Sequence, residues 1–326
     1  MGYDNYYVIK VSLRLVLAMK YSIRVPSFFI CMLLFICSSY AASTFDFNSD
    51  TQMVGKTETI EAVYADTLID LARAHNLGFT EIVSANRAIN KWLPGEGTKI
   101  LLPKAFILPS NYLEKGITIN LPEFRGFYID GKQLITFPVG IGRMDWATPL
   151  GVSKVDLKLE NPSWYPPASV REEYKEEGIY LAPVIPAGPD NPLGKLAMRL
   201  DIPGGYFIHG TNKPDGVGMQ VSHGCIRLFP EDIKIIFSKT NIGLQVKIMD
   251  EPFKIGILGD HIFLEIHETL VPGETINSYK SIQSMIESFV FERQLEARVD
   301  WIKVKEVFEK KTGIPTLIAD ISIKTT

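Results

Sequence analysis

Between Gly116 and Met249 the chain is cut into short apolar runs at turn signals, and this pattern constrains its fold most. Ile117-Thr118-Ile119-Asn120-Leu121, Gly126-Phe127-Tyr128-Ile129 and Gln133 through Val139 read as successive strands, the last two joined by the Asp130-Gly131 turn. Thr148-Pro149-Leu150-Gly151 is a further turn that leads into a strand over Val152–Leu159. Helical periodicity is scarce before Pro230–Lys239. The segment is therefore expected to be a mainly β domain with a short helix.

Inside it lies the chemistry. Phe207-Ile208-His209-Gly210-Thr211 is followed by Val221-Ser222-His223-Gly224-Cys225-Ile226-Arg227-Leu228. The spacer from Asn212 to Gln220 is rich in Gly, Pro, Asn and Asp and reads as a loop. Two strand ends joined by a loop can bring His209 beside Cys225, where a neutral imidazole takes the thiol proton. The thiolate is the nucleophilic form of cysteine.

The cysteine count agrees. Lys20 and Arg24 precede the apolar run Val25–Cys37, and small residues follow at Ser38, Ser39, Ala41, Ala42 and Ser43. This is the layout of a secretory signal over residues 1–41, cleaved after Ala41, with Met19 as an alternative start. The apolar run is about 13 residues, short for a bilayer span. Cys31 and Cys37 leave with the signal, so Cys225 remains as a lone thiol in an exported protein, a reactive-thiol candidate. The expected location is the periplasm or cell envelope. A net charge of −3, without polybasic tail or zinc-type cysteine pairs, gives no basis for nucleic-acid binding.

Either side of the β-rich segment the pattern changes. Residues 43–56 are polar and read as a flexible start. Over 57–103 a strand at Thr59–Tyr64 precedes a helix capped at Asp66-Thr67, a second helix capped at Thr80 that ends near Asn86, and a strand at Lys99–Pro103. This βααβ order resembles a LysM domain, on the strength of Asp66-Thr67-Leu68, Leu71-Ala72, Ile82, Asn86 and the run Pro94 to Pro103. The resemblance implies affinity for the glycan strands of peptidoglycan; the plainer alternative is a small packing domain. A linker is expected near Ala105–Lys115. Residues 160–196 form a long, Pro-rich insertion with Trp164 and Tyr165, read as an ordered lid over a cleft. Residues 251–326 read as an α+β extension: a hairpin about Gly259-Asp260, then helices marked by Ile282, Met285, Ile286 and Phe289 and by Val304, Val307 and Phe308. His261 and His267 show no ligand array at useful spacing and read as surface or structural residues.

His-Gly-Thr followed by Ser-His-Gly-Cys-Ile-Arg-Leu is similar to the signature of YkuD-type L,D-transpeptidases. Thr148–Gly151, Asn161–Pro167 and Pro186–Gly194 look like the periplasmic members of that family. The resemblance covers roughly 116–250 and implies a YkuD-like β-sandwich that needs no cofactor or metal. It implies that Cys225 attacks the diaminopimelate–D-Ala bond of a tetrapeptide stem of peptidoglycan. D-Ala leaves, and the acyl group passes to an amine, either another stem or a lysine of an outer-membrane lipoprotein. His209 matches the base, Gly210 the position whose carbonyl orients it, and Arg227 an arginine able to grip a substrate carboxylate. Gly224 and Cys225 would supply oxyanion-hole N–H groups. Ser222, His223, Trp164 and Tyr165 are the further substrate-side residues. Ser222 serves equally as a loop hydrogen-bonder, His223 as a shaper of the Cys225 loop, and Arg227 as the partner of a protein carboxylate. The competing functions are an L,D-carboxypeptidase, in which water replaces the amine, and a wall-bound scaffold.

Overall fold

The computed structural model describes residues 42–271 and 278–322. The signal segment read at 1–41, with Cys31 and Cys37, lies outside them.

A nine-stranded sheet forms the main framework. Its order is Ser43–Asp46, Gln133–Pro138, Arg125–Ile129, Gly116–Asn120, Gln245–Met249, Gly151–Glu160, Leu196–Leu200, Phe207–His209 and Ile226–Arg227. Ile119, Ile135 and Phe137 from one end share one buried cluster with Met198, Ile208 and Ile226 from the other. The sheet must therefore curl to close over its own core, and the mainly β architecture expected from the sequence is present in this form. Helix Pro230–Lys239 seals the core with Ile233, Ile236 and Phe237. Proline at its first position is tolerated because the N–H it lacks would be unpaired there.

The βααβ unit comprises strands Glu58–Glu61 and Lys99–Leu102, paired antiparallel, around helices Leu68–Ala74 and Phe79–Ala85. Thr67 caps the first helix, its hydroxyl accepting the Asp70 N–H at 3.1 Å. The second starts two residues before the cap expected at Thr80. Gly78 is its N-cap, and the Glu81 carboxylate turns back to accept the Gly78 N–H. This unit has no separate core. Leu68, Leu71, Ile82 and Ile100 pack with Phe127, Ile129 and Leu134 from the outer face of the large sheet.

Two expectations fail here, for one reason: short strands gain their partners only in the tertiary structure. Residues 43–56 are not a loose start, because Ser43–Asp46 is the sheet's edge strand, paired with Gln133–Thr136. The segment near 105–115 does not open as a linker, because Ala105–Ile107 is buried and pairs with Met53–Gly55. The insertion 160–196, read as an ordered lid, contains helix Ala168–Glu176, which buries only Val170 and so shows no apolar stripe.

The C-terminal extension is a four-stranded sheet, Phe253–Leu258, His261–Ile266, Thr316–Ile321 and Ala297–Val299 in that order, packed on helices Tyr279–Glu292 and Trp301–Lys310. His261 is exposed and bonded to Asp320. His267 is not isolated, as its sequence surroundings suggested. It meets the buried carboxylates Glu265 and Glu123, which the topology brings together across 142 positions. Lys254 Nζ lies between those carboxylates, at 2.5 Å from Glu123 and 2.7 Å from Glu265. Its ammonium fills the place a metal ion would need, so the group is a buried ion-pair cluster joining the extension to the large-sheet domain.

Candidate active site

Strand pairing assembles the site. Phe207–His209 runs parallel to Ile226–Arg227, with Ile208 opposite Ile226 and His209 opposite Arg227. One step back along both strands, Cys225 falls beside Phe207, whose backbone N–H reaches the thiol. Side chains alternate faces along a strand, so positions 207 and 209 share one face and His209 stands diagonal to the cysteine. Among the described residues no hydrogen bond joins the thiol to the imidazole.

His209 is 3% exposed. Its Nδ1 donates to the Gly210 carbonyl at 2.5 Å, which fixes the proton on Nδ1 because a carbonyl only accepts. Nε2 is then left with its lone pair. Burial, and secondarily Arg227, lower the imidazole pKa to about 3, so the ring is neutral near pH 7. Burial raises the Cys225 thiol above its ordinary value, against the smaller opposing effects of the Phe207 N–H and Arg227. The resting pair is thus neutral thiol and neutral imidazole.

Arg227 forms no ion pair with a protein carboxylate among the described residues, and its buried Nε has no partner. Burial lowers its pKa, partly offset by Cys225 and Tyr174. An unpaired guanidinium beside the thiol is a receptor for an anionic group.

The loop before the cysteine is braced rather than free. Gly224 sits at φ +95°, and a Cβ there would lie 2.7 Å from the Tyr206 ring. Thr148 Oγ donates to the Gly224 carbonyl at 3.0 Å and accepts the Gly142 N–H at 3.0 Å. Ser222, 1% exposed, donates to the Cys225 carbonyl at 2.5 Å and accepts the Gly224 N–H at 3.2 Å. Ser222 makes the loop hydrogen bonds that were one of its two readings, whereas the Gly224 N–H, expected in the oxyanion hole, is engaged by the Ser222 hydroxyl. The Cys225 N–H donates to no protein acceptor among the described residues and so is left available to a ligand oxygen.

His223 is engaged by the insertion and by Trp146. Its Nε2 donates to Glu173 at 3.0 Å, and its ring meets Trp146 edge-on with centroids 5.2 Å apart. Trp164 and Ile185 exchange both backbone hydrogen bonds at 2.8 Å, so Trp164 fastens the insertion to itself, and Tyr165 is exposed. Sequence reading missed Glu173 and Arg143, which no motif marks, and the bracing role of Thr148, though its turn stood out.

A sequence profile of the L,D-transpeptidase catalytic domain matches residues 114–248. The chain is 38% identical to the probable L,D-transpeptidase YcfS of Escherichia coli K12 over 75% of this chain and 78% of that one. It is 34% identical to the probable L,D-transpeptidase YbiS of the same strain over 86% and 93% of the two chains. The solved catalytic domain of the E. faecium L,D-transpeptidase aligns over 43% of this chain and 100% of its own, at 24% identity and a TM-score of 0.32. The thiol, imidazole and arginine described above lie within the matched segment, and the chain belongs to the L,D-transpeptidase family.

Proposed function

We propose that this is an exported enzyme acting on peptidoglycan, with Cys225 as its nucleophile. The carrying observation is the strand register that sets Cys225 diagonal to a neutral His209 and beside an Arg227 without a carboxylate partner. His209 Nε2 takes the thiol proton as Sγ attacks the carbonyl between diaminopimelate and D-Ala of a tetrapeptide stem. Proton transfer concerted with attack suits a pair that rests neutral. The developing oxyanion is met by the Cys225 N–H. When the tetrahedral intermediate collapses, imidazolium returns the proton to the D-Ala amine, which leaves, and a thioester remains. An acceptor amine then attacks the thioester, gives its proton to His209 and regenerates the thiol. Arg227 holds a donor carboxylate through the approach.

The acceptor is read as the side-chain amine of a second stem or a lysine of an outer-membrane lipoprotein. The βααβ unit over 57–103, read as LysM-like, would hold glycan strands near the site. Incubation of the mature protein with a disaccharide-tetrapeptide, with and without a diamino-acid acceptor, followed by mass spectrometry, tests the proposal. A Cys225 acyl adduct with loss of D-Ala, then a dimer or exchanged product, is expected. Release of tripeptide alone would assign a carboxypeptidase, and no adduct from a protein that binds sacculi would leave a scaffold.

A further inference from the structure

The insertion between strands Gly151–Glu160 and Leu196–Leu200 is a folded flap with a fixed base. Asn161 donates its N–H to the Lys195 carbonyl at 2.7 Å, closing the two ends. Asn191, fully buried, donates to the carbonyls of Pro162, Ile185 and Pro186 and accepts the Leu193 N–H. The base ends at Gly194, which packs so closely on Gly210 that a Cβ would lie 2.9 Å from the Thr211 nitrogen. That places the base against the carbonyl that orients His209.

Helix Ala168–Glu176 carries the flap to the other side of the site. Glu173 accepts His223 Nε2–H with one oxygen, at 3.0 Å, and Arg143 Nη2 with the other, at 2.6 Å. Arg143 is itself tied to the cysteine loop, its backbone N–H donating to the Ser222 carbonyl at 3.0 Å. The next flap residue, Tyr174, lies close enough to Arg227 to influence its charge. The helix buries only Val170, so apolar packing gives it little hold. The two charge-assisted bonds of Glu173 are its main tie to the loop.

We propose that Glu173 is a positioning residue for the reaction: a latch that holds the flap over Cys225 while fixing the His223 ring and, through it, the loop that presents the thiol. It touches no reacting atom. The proposal rests on the reading of Cys225 as nucleophile, but the latch itself can be read without a peptide substrate. On this reading the latch opens for substrate entry and recloses for acyl transfer.

Glu173→Ala and Glu173→Gln in the mature protein test this through two rates and a melting temperature. In Glu173→Ala, alkylation of Cys225 by iodoacetamide should rise about tenfold as the flap opens, the change expected from losing two partly buried hydrogen bonds to a carboxylate. The kcat for a tetrapeptide donor should fall about tenfold or more as the thiol loses its geometry. The melting temperature should hold. Glu173→Gln keeps one acceptor oxygen and should lie between wild type and Glu173→Ala in both rates. Unchanged alkylation, or both rates falling together with the melting temperature, would overturn the latch. Faster alkylation with undiminished kcat would overturn the positioning role. If the wild type acylates on no donor, the reading of function fails, and the alkylation ratio still decides the latch.

Discussion

His209 donates its Nδ1 proton to the carbonyl of its own neighbour, Gly210, so the imidazole is oriented by backbone and not by a carboxylate. No negative charge stands behind the ring to hold its pKa up, and burial lowers it to about 3. In the proposed mechanism the neutral imidazole is the active form, and acid inactivates it only on approaching the folded value. The acid limb of kcat/KM for the peptide donor should therefore lie well below the ordinary histidine value of ~6.5. The thiol is displaced upward, so alkylation of Cys225 should keep accelerating above pH ~8.5, where an ordinary cysteine levels off. An acid limb near 6.5, or alkylation that is flat above neutral pH, would indicate a preformed thiolate–imidazolium pair instead.

Gly224→Ala should disable the site while sparing the core. The added methyl meets the Tyr206 ring and must adopt φ +95°. The backbone strain costs about 1–3 kcal/mol if held, and relieving it turns the Cys225 N–H away from the oxyanion. Loss of one oxyanion donor lowers kcat by roughly 10²–10³. Donor turnover and the urea midpoint, measured on the same preparation, separate the two effects. Near-native turnover would remove the Cys225 N–H from the mechanism.

Much of this was legible in the sequence because it is local. Helix Pro230–Lys239, the strand pair about Asp130-Gly131 and the hairpin about Gly259-Asp260 all carry their own periodicity and turn residues. The register of His209 against Arg227 follows once both flanks are strands. What stayed hidden depends on distant partners. Ser43–Asp46 has no sequence signal of its own and exists because Gln133–Thr136 offers it an edge. Glu173 is one of several acidic residues in an unpatterned helix, set apart only by His223 and Arg143. Glu123 and Glu265 are far apart in sequence, so no spacing rule connects them with His267.

The βααβ unit should not be separable from the catalytic sheet. Glu81 accepts from Nε and Nη2 of Arg125, at 2.6 and 2.9 Å, and Arg125 is 1% exposed. The N–H groups of Phe79 and Thr80 donate to Val217 and Gly218, within the spacer between the two halves of the His/Cys motif. Deleting 43–103 would remove an edge strand and bare Phe127, Ile129 and Leu134. The deletion should yield aggregated protein, not a free catalytic domain. Glu81→Ala leaves Arg125 buried without its partner and should cost about 3–5 kcal/mol. Calorimetry should show the unit and the sheet melting in one transition. A soluble deletion variant with native near-UV circular dichroism would contradict this.

Asp232 should give stability a pH dependence of the opposite sign to that of most carboxylates. It lies in the first turn of helix Pro230–Lys239, fully buried, and accepts Asn76 Nδ2 at 2.9 and 2.8 Å from the βααβ unit. Burial raises its pKa to about 7, and neighbouring Glu231 adds to the rise. The Asn76 hydrogen bond, the Ala42 backbone and Arg125 only partly oppose them. The unfolded carboxyl ionises near ~3.9, so between that value and about 7 the folded chain binds the extra proton. Its contribution is fully present below the unfolded value and is lost as pH rises through the folded one. Asp232→Asn has nothing to ionise and keeps an acceptor for Asn76, so it should gain stability relative to wild type as pH rises from 4 to 8. Urea midpoints for the two proteins across that range measure the difference. A constant gap would place Asp232 in the charged state throughout and leave Asn76 as a sufficient partner for a buried anion.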